Sequence, residues 1–239
     1  MQPVHATRFI LILLLSGALV ACDAVRSFEA VCETRLPPTD IRVVSDPIIH
    51  RLDESLSYDA LTEKGGDIAA AGRQVIGLTT ANLSSSVQVT ARGMSRRGSG
   101  RYCMRPAVSV RLSFNPMTVY MGSNDARDSC QYKLTYEHEM RHVEVYRAFL
   151  PAITARVEQQ LRGHFMNQVF YFNTAEEGQK HIDEVVHGYL SPLVAEAMSE
   201  VRGLQRGVDA PEEYARLDRS RAACQSARED LGVVGYQRP

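Results

Sequence analysis

Short runs in which hydrophobic and polar residues partly alternate occupy the first half of the chain. IRVVS, VQVTARGM, AVSVRLSF and MTVYM all lie between 41 and 128 and are rich in β-branched residues. A period of two places alternate side chains on one face of a strand. RRGSGR separates two of these runs and is typical of a hairpin loop. RQVIGLTTANLSSS fits either a strand or a short helix. The pattern predicts an antiparallel β-rich part over 41–128.

From 129 to 232 the hydrophobic spacing changes to three and four residues, which indicates helices. SCQYKLTYEHEMRHVEVYRAFL predicts a helix that ends at Pro151, followed by a second helix to about Gly163. A β-rich half followed by a helical half belongs to the α+β class. The length of 239 residues and the hydrophobic content of 44% suit one globular domain.

Two segments of the helical half match the capping box, in which an N-cap side chain and a carboxylate three residues later satisfy free backbone amides. Thr174 and Glu177 predict the start of a helix that runs to about Arg206. Asp209 and Glu212 predict the start of the next helix. This interpretation uses Asp209 as a helix cap.

The N-terminus carries an apolar run of 13 residues, FILILLLSGALVA. The run is too short for a membrane span and is typical of the core of a signal peptide. It ends in LVAC, which resembles the lipobox of bacterial lipoproteins. The resemblance implies that 1–21 is a signal peptide, that Cys22 is lipidated, and that the chain is anchored in the periplasmic cell envelope. An ordinary signal peptide that is cut nearby is the alternative. Residues 22–40 are interpreted as a tether.

The four cysteines that remain after Cys22 are an even number in a chain predicted to be exported, which suggests two disulfides. They are Cys32, Cys103, Cys130 and Cys224. Three pairings are possible, and we favour Cys32–Cys103 with Cys130–Cys224. The spacing between them is too long for a zinc site of the C-x-x-C type.

The segment KLTYEHEMRHVEVYRAFL contains H-E-x-x-H at 138–142. Residues four apart share a helix face, so His138 and His142 can hold one Zn²⁺. Glu139 can then act as general base on a metal-bound water. On a wheel of 100° per residue both histidines fall on the apolar face, with Glu139 at its edge. The alternative is two core histidines on an amphipathic helix.

The order of strand, loop and motif helix resembles the zincin metalloproteases. A narrower resemblance, over about 40–225, is to bacterial predicted secreted zinc-dependent proteases of uncharacterised function. These carry an acid two residues after the second histidine, Glu144 here, and a later D-x-x-T-x-H-G-like segment that DAPEEY at 209–214 echoes only loosely. The resemblance implies peptide hydrolysis, with substrate backbone added to an edge strand. PMTVYMG is the candidate for that strand.

A catalytic zinc usually has three protein ligands and one water, so a third ligand is needed. Glu144 falls on the polar face of the motif helix and is rejected. His164 could serve only if the chain reversed direction at Pro151. In KHIDEVVHGYL the histidines and the glutamate lie off the core face. Glu213 is the best candidate, because a Cys130–Cys224 disulfide would tie its helix to the start of the motif helix.

The leading hypothesis is a lipid-anchored zinc metallopeptidase of the bacterial envelope that acts on a peptide or protein. The alternative is a non-catalytic envelope lipoprotein with a structural or vestigial metal site. The formal net charge is −1, and the longest basic run is Arg96-Arg97. This charge pattern argues against nucleic acid as a partner.

Overall fold

A computed structural model describes residues 26–66, 73–98 and 100–230. Its helices are α1 (Phe28–Arg35), α2 (Tyr58–Gly65), α3 (Cys130–Phe165), α4 (Ala175–Val208) and α5 (Pro211–Asp230). Its strands are β1 (Asp40–Ser45), β2 (His50–Asp53), β3 (Gly77–Thr80), β4 (Ser84–Ser95), β5 (Tyr102–Ser113), β6 (Met117–Met121) and β7 (Phe170–Phe172). Most strands precede the three long helices, which confirms the predicted α+β class. The predicted signal peptide and Cys22 lie outside the described residues.

The strands form two sheets, with the order β1-β5-β4 in the larger and β2-β6-β3 in the smaller. β4 and β7 run antiparallel to β5, and β3 runs antiparallel to β6. β1 and β2, however, pair in parallel with β5 and β6. The predicted antiparallel pairing therefore holds for only part of each sheet. Parallel neighbours need a long crossover connection, and local alternation carries no information about such a connection.

The hairpin that joins β4 to β5 is the longest strand pairing, from Ser84 opposite Ser113 to Ser95 opposite Tyr102. Its loop falls at the predicted RRGSGR segment, where Gly98 and Gly100 adopt φ of 77° and 63°. Only glycine takes this left-handed conformation without steric cost. The segment RQVIGLTTANLSSS forms β3 and the start of β4, so it contains strands and not a short helix.

The central position of β6 contradicts the prediction that PMTVYMG is an edge strand. β2 covers one edge of β6 and β3 covers the other. Within the described ranges β3 pairs with no strand other than β6, and it lies against α3. β3 is therefore an edge strand that lies beside the H-E-x-x-H segment, where Thr79 contacts Glu139.

α3 continues without interruption through Pro151, so the predicted helix end at this residue is wrong. An interior proline costs a helix about 3 kcal/mol. Phe149, Leu150, Ile153 and Val157 surround it in sequence and are buried in the main core. Each such side chain contributes about 1.5–3 kcal/mol when fully buried. Packing around the proline therefore outweighs its cost, and α3 is one helix of 36 residues.

Both favoured disulfide pairings are confirmed. Cys32 of α1 is bonded to Cys103 of β5, and Cys130 at the start of α3 is bonded to Cys224 of α5. Phe28 and Cys32 are buried, so α1 is a packed helix within the segment interpreted as a tether. Two disulfides are consistent with an extracytoplasmic protein. Within the described ranges, no helix combines the length and the apolar character that a membrane span requires.

Candidate metal centre

The two histidines of the motif lie one turn apart on the inward face of α3, as the helical wheel predicts. His138 is 6% exposed and His142 is 8% exposed. Their rings meet edge to face, with centroids 5.0 Å apart. Val143 and Tyr146 are buried beside them in the main core and fix the rotation of the helix. The spacing of four residues therefore brings both imidazoles to one place.

Asp209, directly after α4, lies beside both imidazoles. Its Oδ1 atom lies 3.2 Å from Nε2 of His138 and 3.3 Å from Nε2 of His142. The two Nε2 atoms are themselves 3.3 Å apart. These three possible metal-ligand atoms, two on α3 and one directly after α4, thus form a nearly equilateral triangle. These three residues are a group that could hold a metal ion.

The size of the triangle suits a tetrahedral metal ion. Bonds of about 2.0–2.1 Å in tetrahedral geometry separate neighbouring ligand atoms by about 3.3 Å. The three observed separations are 3.2, 3.3 and 3.3 Å. Two imidazole nitrogens and one carboxylate oxygen also form a donor set that transition metals accept. Three ligands are one fewer than the four that a tetrahedral ion takes.

Comparison of the chain with models of protein families, with curated proteins and with solved structures gives no match. The likeness to zincins therefore rests on the H-E-x-x-H segment and the order of elements around it. The triangle formed with Asp209 is an observation independent of that likeness.

The charges at the centre favour an ionised Asp209. Burial raises the pKa of this carboxyl group, but hydrogen bonds from His138 and His142 outweigh burial, and the net shift is downward. For His142 burial lowers the pKa, while Asp209 and Glu139 act in the opposite direction and raise it overall. Tyr214 donates from its hydroxyl to Oδ1 of Asp209 at 3.0 Å. The centre therefore has a negative carboxylate that a cation would neutralise.

Glu139 points to the flank of the centre that β3 covers. Its Oε2 accepts a hydrogen bond of 2.8 Å from the hydroxyl of Thr79. Gly77 leaves the room for this side chain, since a Cβ there would lie 2.7 Å from Oε1 of Glu139. Glu139 is only 4% exposed, and burial raises its pKa despite the nearby histidines. The wheel predicted the rim of a cleft, but the edge strand packs against this rim.

Glu213, the predicted third ligand, lies beside the triangle rather than in it. Its Oε1 is 3.9 Å from Nδ1 of His138. Arg141 and Arg216 both pair with its carboxylate, and hydrogen bonds from Arg216 and then Arg141 lower its pKa to about 2. The structure therefore brings Asp209, not Glu213, to the two histidines.

The helix-cap interpretation of Asp209 is wrong, which explains why the sequence did not indicate it as a ligand. α5 begins at Pro211, and the amides of Glu213 and Tyr214 donate to the carbonyl of Ala210. The amide of Asp209 closes the last turn of α4 instead. Its side chain is therefore free to face α3. In the sequence, the only indication that Asp209 belongs to the site was the loose match of 209–214 to the late segment of the proteases that the chain resembles.

The other ligands considered from the sequence lie elsewhere. Glu144 is exposed and pairs with Arg147. His164 stacks on Tyr189, with centroids 4.1 Å apart. His187 is half exposed on α4. None of the three joins the group formed by the motif histidines and Asp209.

Proposed function

We propose that this chain is a zinc-dependent metallopeptidase whose metal is held by His138, His142 and Asp209. The observation that supports it most directly is the triangle of donor atoms, with sides of 3.2–3.3 Å. Two histidines, one carboxylate and an open fourth position are the ligand pattern of catalytic zinc sites. Structural zinc sites instead close the fourth position with another protein ligand.

The chain's own residues supply the rest of the proposed chemistry. Zinc, when bound, lowers the pKa of a coordinated water to about 7. Glu139 follows His138 directly and would serve as the general base that accepts a proton from water and passes it to the leaving amine. Because burial raises the pKa of Glu139, the carboxylate is a better proton acceptor near neutral pH. Thr79 holds Oε2 of Glu139, and Gly77 gives Oε1 room beside β3.

A peptide is the substrate class that the surrounding fold favours. β3 runs past Glu139 and, among the described strands, pairs only with β6. An extended peptide can add to the other edge of such a strand by backbone hydrogen bonds. This addition would align a scissile bond with the carboxylate that Thr79 holds. The proposed location is the periplasmic side of the envelope, with a lipid anchor on Cys22.

A non-catalytic metal site is the second candidate, and burial favours it. The side chains of His138, Glu139 and His142 are all almost fully enclosed. A substrate could reach them only if part of the surrounding structure moved. This candidate predicts a bound metal without hydrolysis.

One set of measurements separates the two candidates. The protein without its signal peptide is purified, and zinc per chain is measured for the parent, His142→Ala and Glu139→Gln. The peptidase proposal expects about one zinc per chain, which is lost in His142→Ala. It expects Glu139→Gln to retain zinc but to lose cleavage of a peptide library. The control is His187→Ala, which removes a half-exposed histidine of α4.

Absence of zinc from the parent protein would overturn both candidates. Zinc in the parent without cleavage of any peptide would favour the non-catalytic site.

A further inference from the structure

The side chain of Gln205 contacts His142 at two points. Its Oε1 lies 2.5 Å from Nδ1 of the imidazole. Its Nε2 donates to the backbone carbonyl of His142 at 3.2 Å. Gln205 is half-buried on α4, whereas His142 is buried on α3. One amide group thus bridges the two helices at the metal centre.

The second contact fixes the orientation of the amide. A backbone carbonyl can only accept, so the amide nitrogen of Gln205 must face it. The amide oxygen must then face the ring, and it can only accept. Nδ1 of His142 is therefore the protonated nitrogen. In a neutral imidazole the proton on Nδ1 leaves a lone pair on Nε2, which is the atom in the triangle.

We propose that Gln205 is a positioning residue that sets the tautomer and ring orientation of His142 for metal binding. The proposal rests on the metal-binding part of the proposed function and does not depend on hydrolysis. A metal-bound histidine commonly donates its other N–H to such a partner, which raises its basicity and fixes its ring. In this chain an amide takes the place of the usual carboxylate.

Gln205 also connects to a second metal ligand. Its backbone carbonyl accepts from the amide of Asp209 at 3.3 Å. Its side chain and its main chain therefore hold one ligand each. A change in the side chain acts on His142 directly, whereas the helical bond to Asp209 is retained. This separation makes the side-chain contribution measurable.

The other histidine has no equivalent partner among the residues that the structure describes. Nδ1 of His138 is buried without a hydrogen bond. The nearest carboxylate oxygen, Oε1 of Glu213, is 3.9 Å away and is paired with Arg141 and Arg216. The positioning of the pair therefore depends mainly on Gln205.

The test compares Gln205→Leu with the parent in the chain without its signal peptide. Zinc dissociation constants are measured by competition with a chromophoric chelator. Loss of an outer partner of this kind typically weakens metal binding about 10–100-fold, and we expect a change in this range. The matched control is Gln179→Leu, because Gln179 is also half-buried on α4 and makes two hydrogen bonds, to Ala91 and Val89 of β4. It should leave the zinc affinity unchanged.

A second readout does not need metal. Nitrogen-15 spectra of labelled histidine report the tautomer of His142 in the metal-free protein, recorded at a pH high enough for this imidazole to be neutral. We expect the Nδ1–H form in the parent and in Gln205→Glu, which keeps an acceptor, and a mixture of forms in Gln205→Leu. If the leucine variant does not fold, Gln205→Glu replaces it in the affinity measurement. We then expect zinc binding to weaken by less than about 10-fold.

Equal zinc affinity in the parent and Gln205→Leu would overturn the proposal. If the parent binds no zinc, the proposed function fails, and the tautomer measurement alone decides on Gln205. An Nε2–H form of His142 in the metal-free parent would then overturn the positioning role.

Discussion

At the scale of single residues, the centre depends on which carboxylate completes the histidine pair. Asp209 contacts both Nε2 atoms, whereas Glu213 is paired with two arginines. Asp209→Asn should therefore weaken zinc binding by more than the roughly 100-fold upper figure for an outer partner. Glu213→Gln should stay within about 10-fold of the parent, which is the lower figure for such a partner. Chelator competition measures both, and the reverse order would identify Glu213 as the ligand.

Glu213 has a stability role that depends on pH. Arg216 and Arg141 lower its pKa from 4.5 to about 2 in the folded protein. Because the folded value is below the unfolded value, this stabilisation is present above about pH 4.5 and is lost as the pH falls towards 2. Urea unfolding of the parent and Glu213→Gln should therefore give free energies that differ at pH 6 and converge in acid.

The control for this comparison is Glu144→Gln, which removes an exposed carboxylate that pairs with Arg147. Its free energy of unfolding should stay within about 0.5 kcal/mol of the parent. A difference between Glu213→Gln and the parent that does not change with pH would contradict the prediction.

His138, Glu139 and His142 could be predicted because their spacing on one helix is a local property. Asp209 could not, since it reaches His138 from another helix, 71 residues away along the chain. Its sequence context also matched a helix cap, which is the commoner use of an aspartate before a helix. Gln205 gave no signal at all, because an amide that contacts a distant ring leaves no pattern in its own helix.

At the scale of elements, the approach of β3 to α3 decides the position of Glu139. A methyl group on Gly77 would lie 2.7 Å from both Oε1 of Glu139 and Cγ2 of Thr135. Gly77→Ala should therefore displace the carboxylate. A shift of about 1 Å in a catalytic group can cost about 100-fold in rate, so we expect a large loss of kcat/KM with zinc retained.

The control for Gly77→Ala is Gly163→Ala, because nothing lies within 4 Å of the added methyl group on this exposed position of α3. It should raise the free energy of unfolding by up to about 1 kcal/mol, the cost of glycine in a helix. Full peptidase activity in Gly77→Ala would show that the contact with β3 does not place Glu139.

Elements whose form depends on neighbouring residues could be predicted, and those that depend on distant pairing could not. The β4–β5 hairpin and the start of α4 at Thr174 follow from local turn and cap residues. The parallel position of β1 beside β5 and the central position of β6 depend on strands far apart in sequence. The predicted helix end at Pro151 is wrong because the free energy that a proline costs a helix is smaller than the free energy gained by burying the side chains around it.

At the scale of the whole molecule, the two disulfides act on different parts. Cys32–Cys103 fastens α1 to the larger sheet, far along the chain from any ligand. Cys130–Cys224 fastens α5 to α3, and α5 carries Tyr214, which donates to Asp209. The second disulfide therefore supports the candidate metal centre as well as the fold.

Two double variants, each with both cysteines of one disulfide replaced by serine, test this difference. Each double variant should lower the free energy of unfolding by about 2–5 kcal/mol. Only the variant without Cys130–Cys224 should weaken zinc binding, because α5 is then less firmly held against Asp209. Urea unfolding and chelator competition measure the two effects. Equal zinc affinities in both variants would show that α5 does not need this bond to support the centre.

The burial of the two histidines and Glu139 also has a kinetic consequence. Because these three side chains are enclosed, we expect release of a bound ion to be limited by local opening rather than by encounter with a chelator. The rate of zinc loss should then level off as chelator concentration rises, which stopped-flow absorbance can follow. The same opening would admit a peptide, so a change that speeds zinc loss should also speed turnover wherever opening limits it.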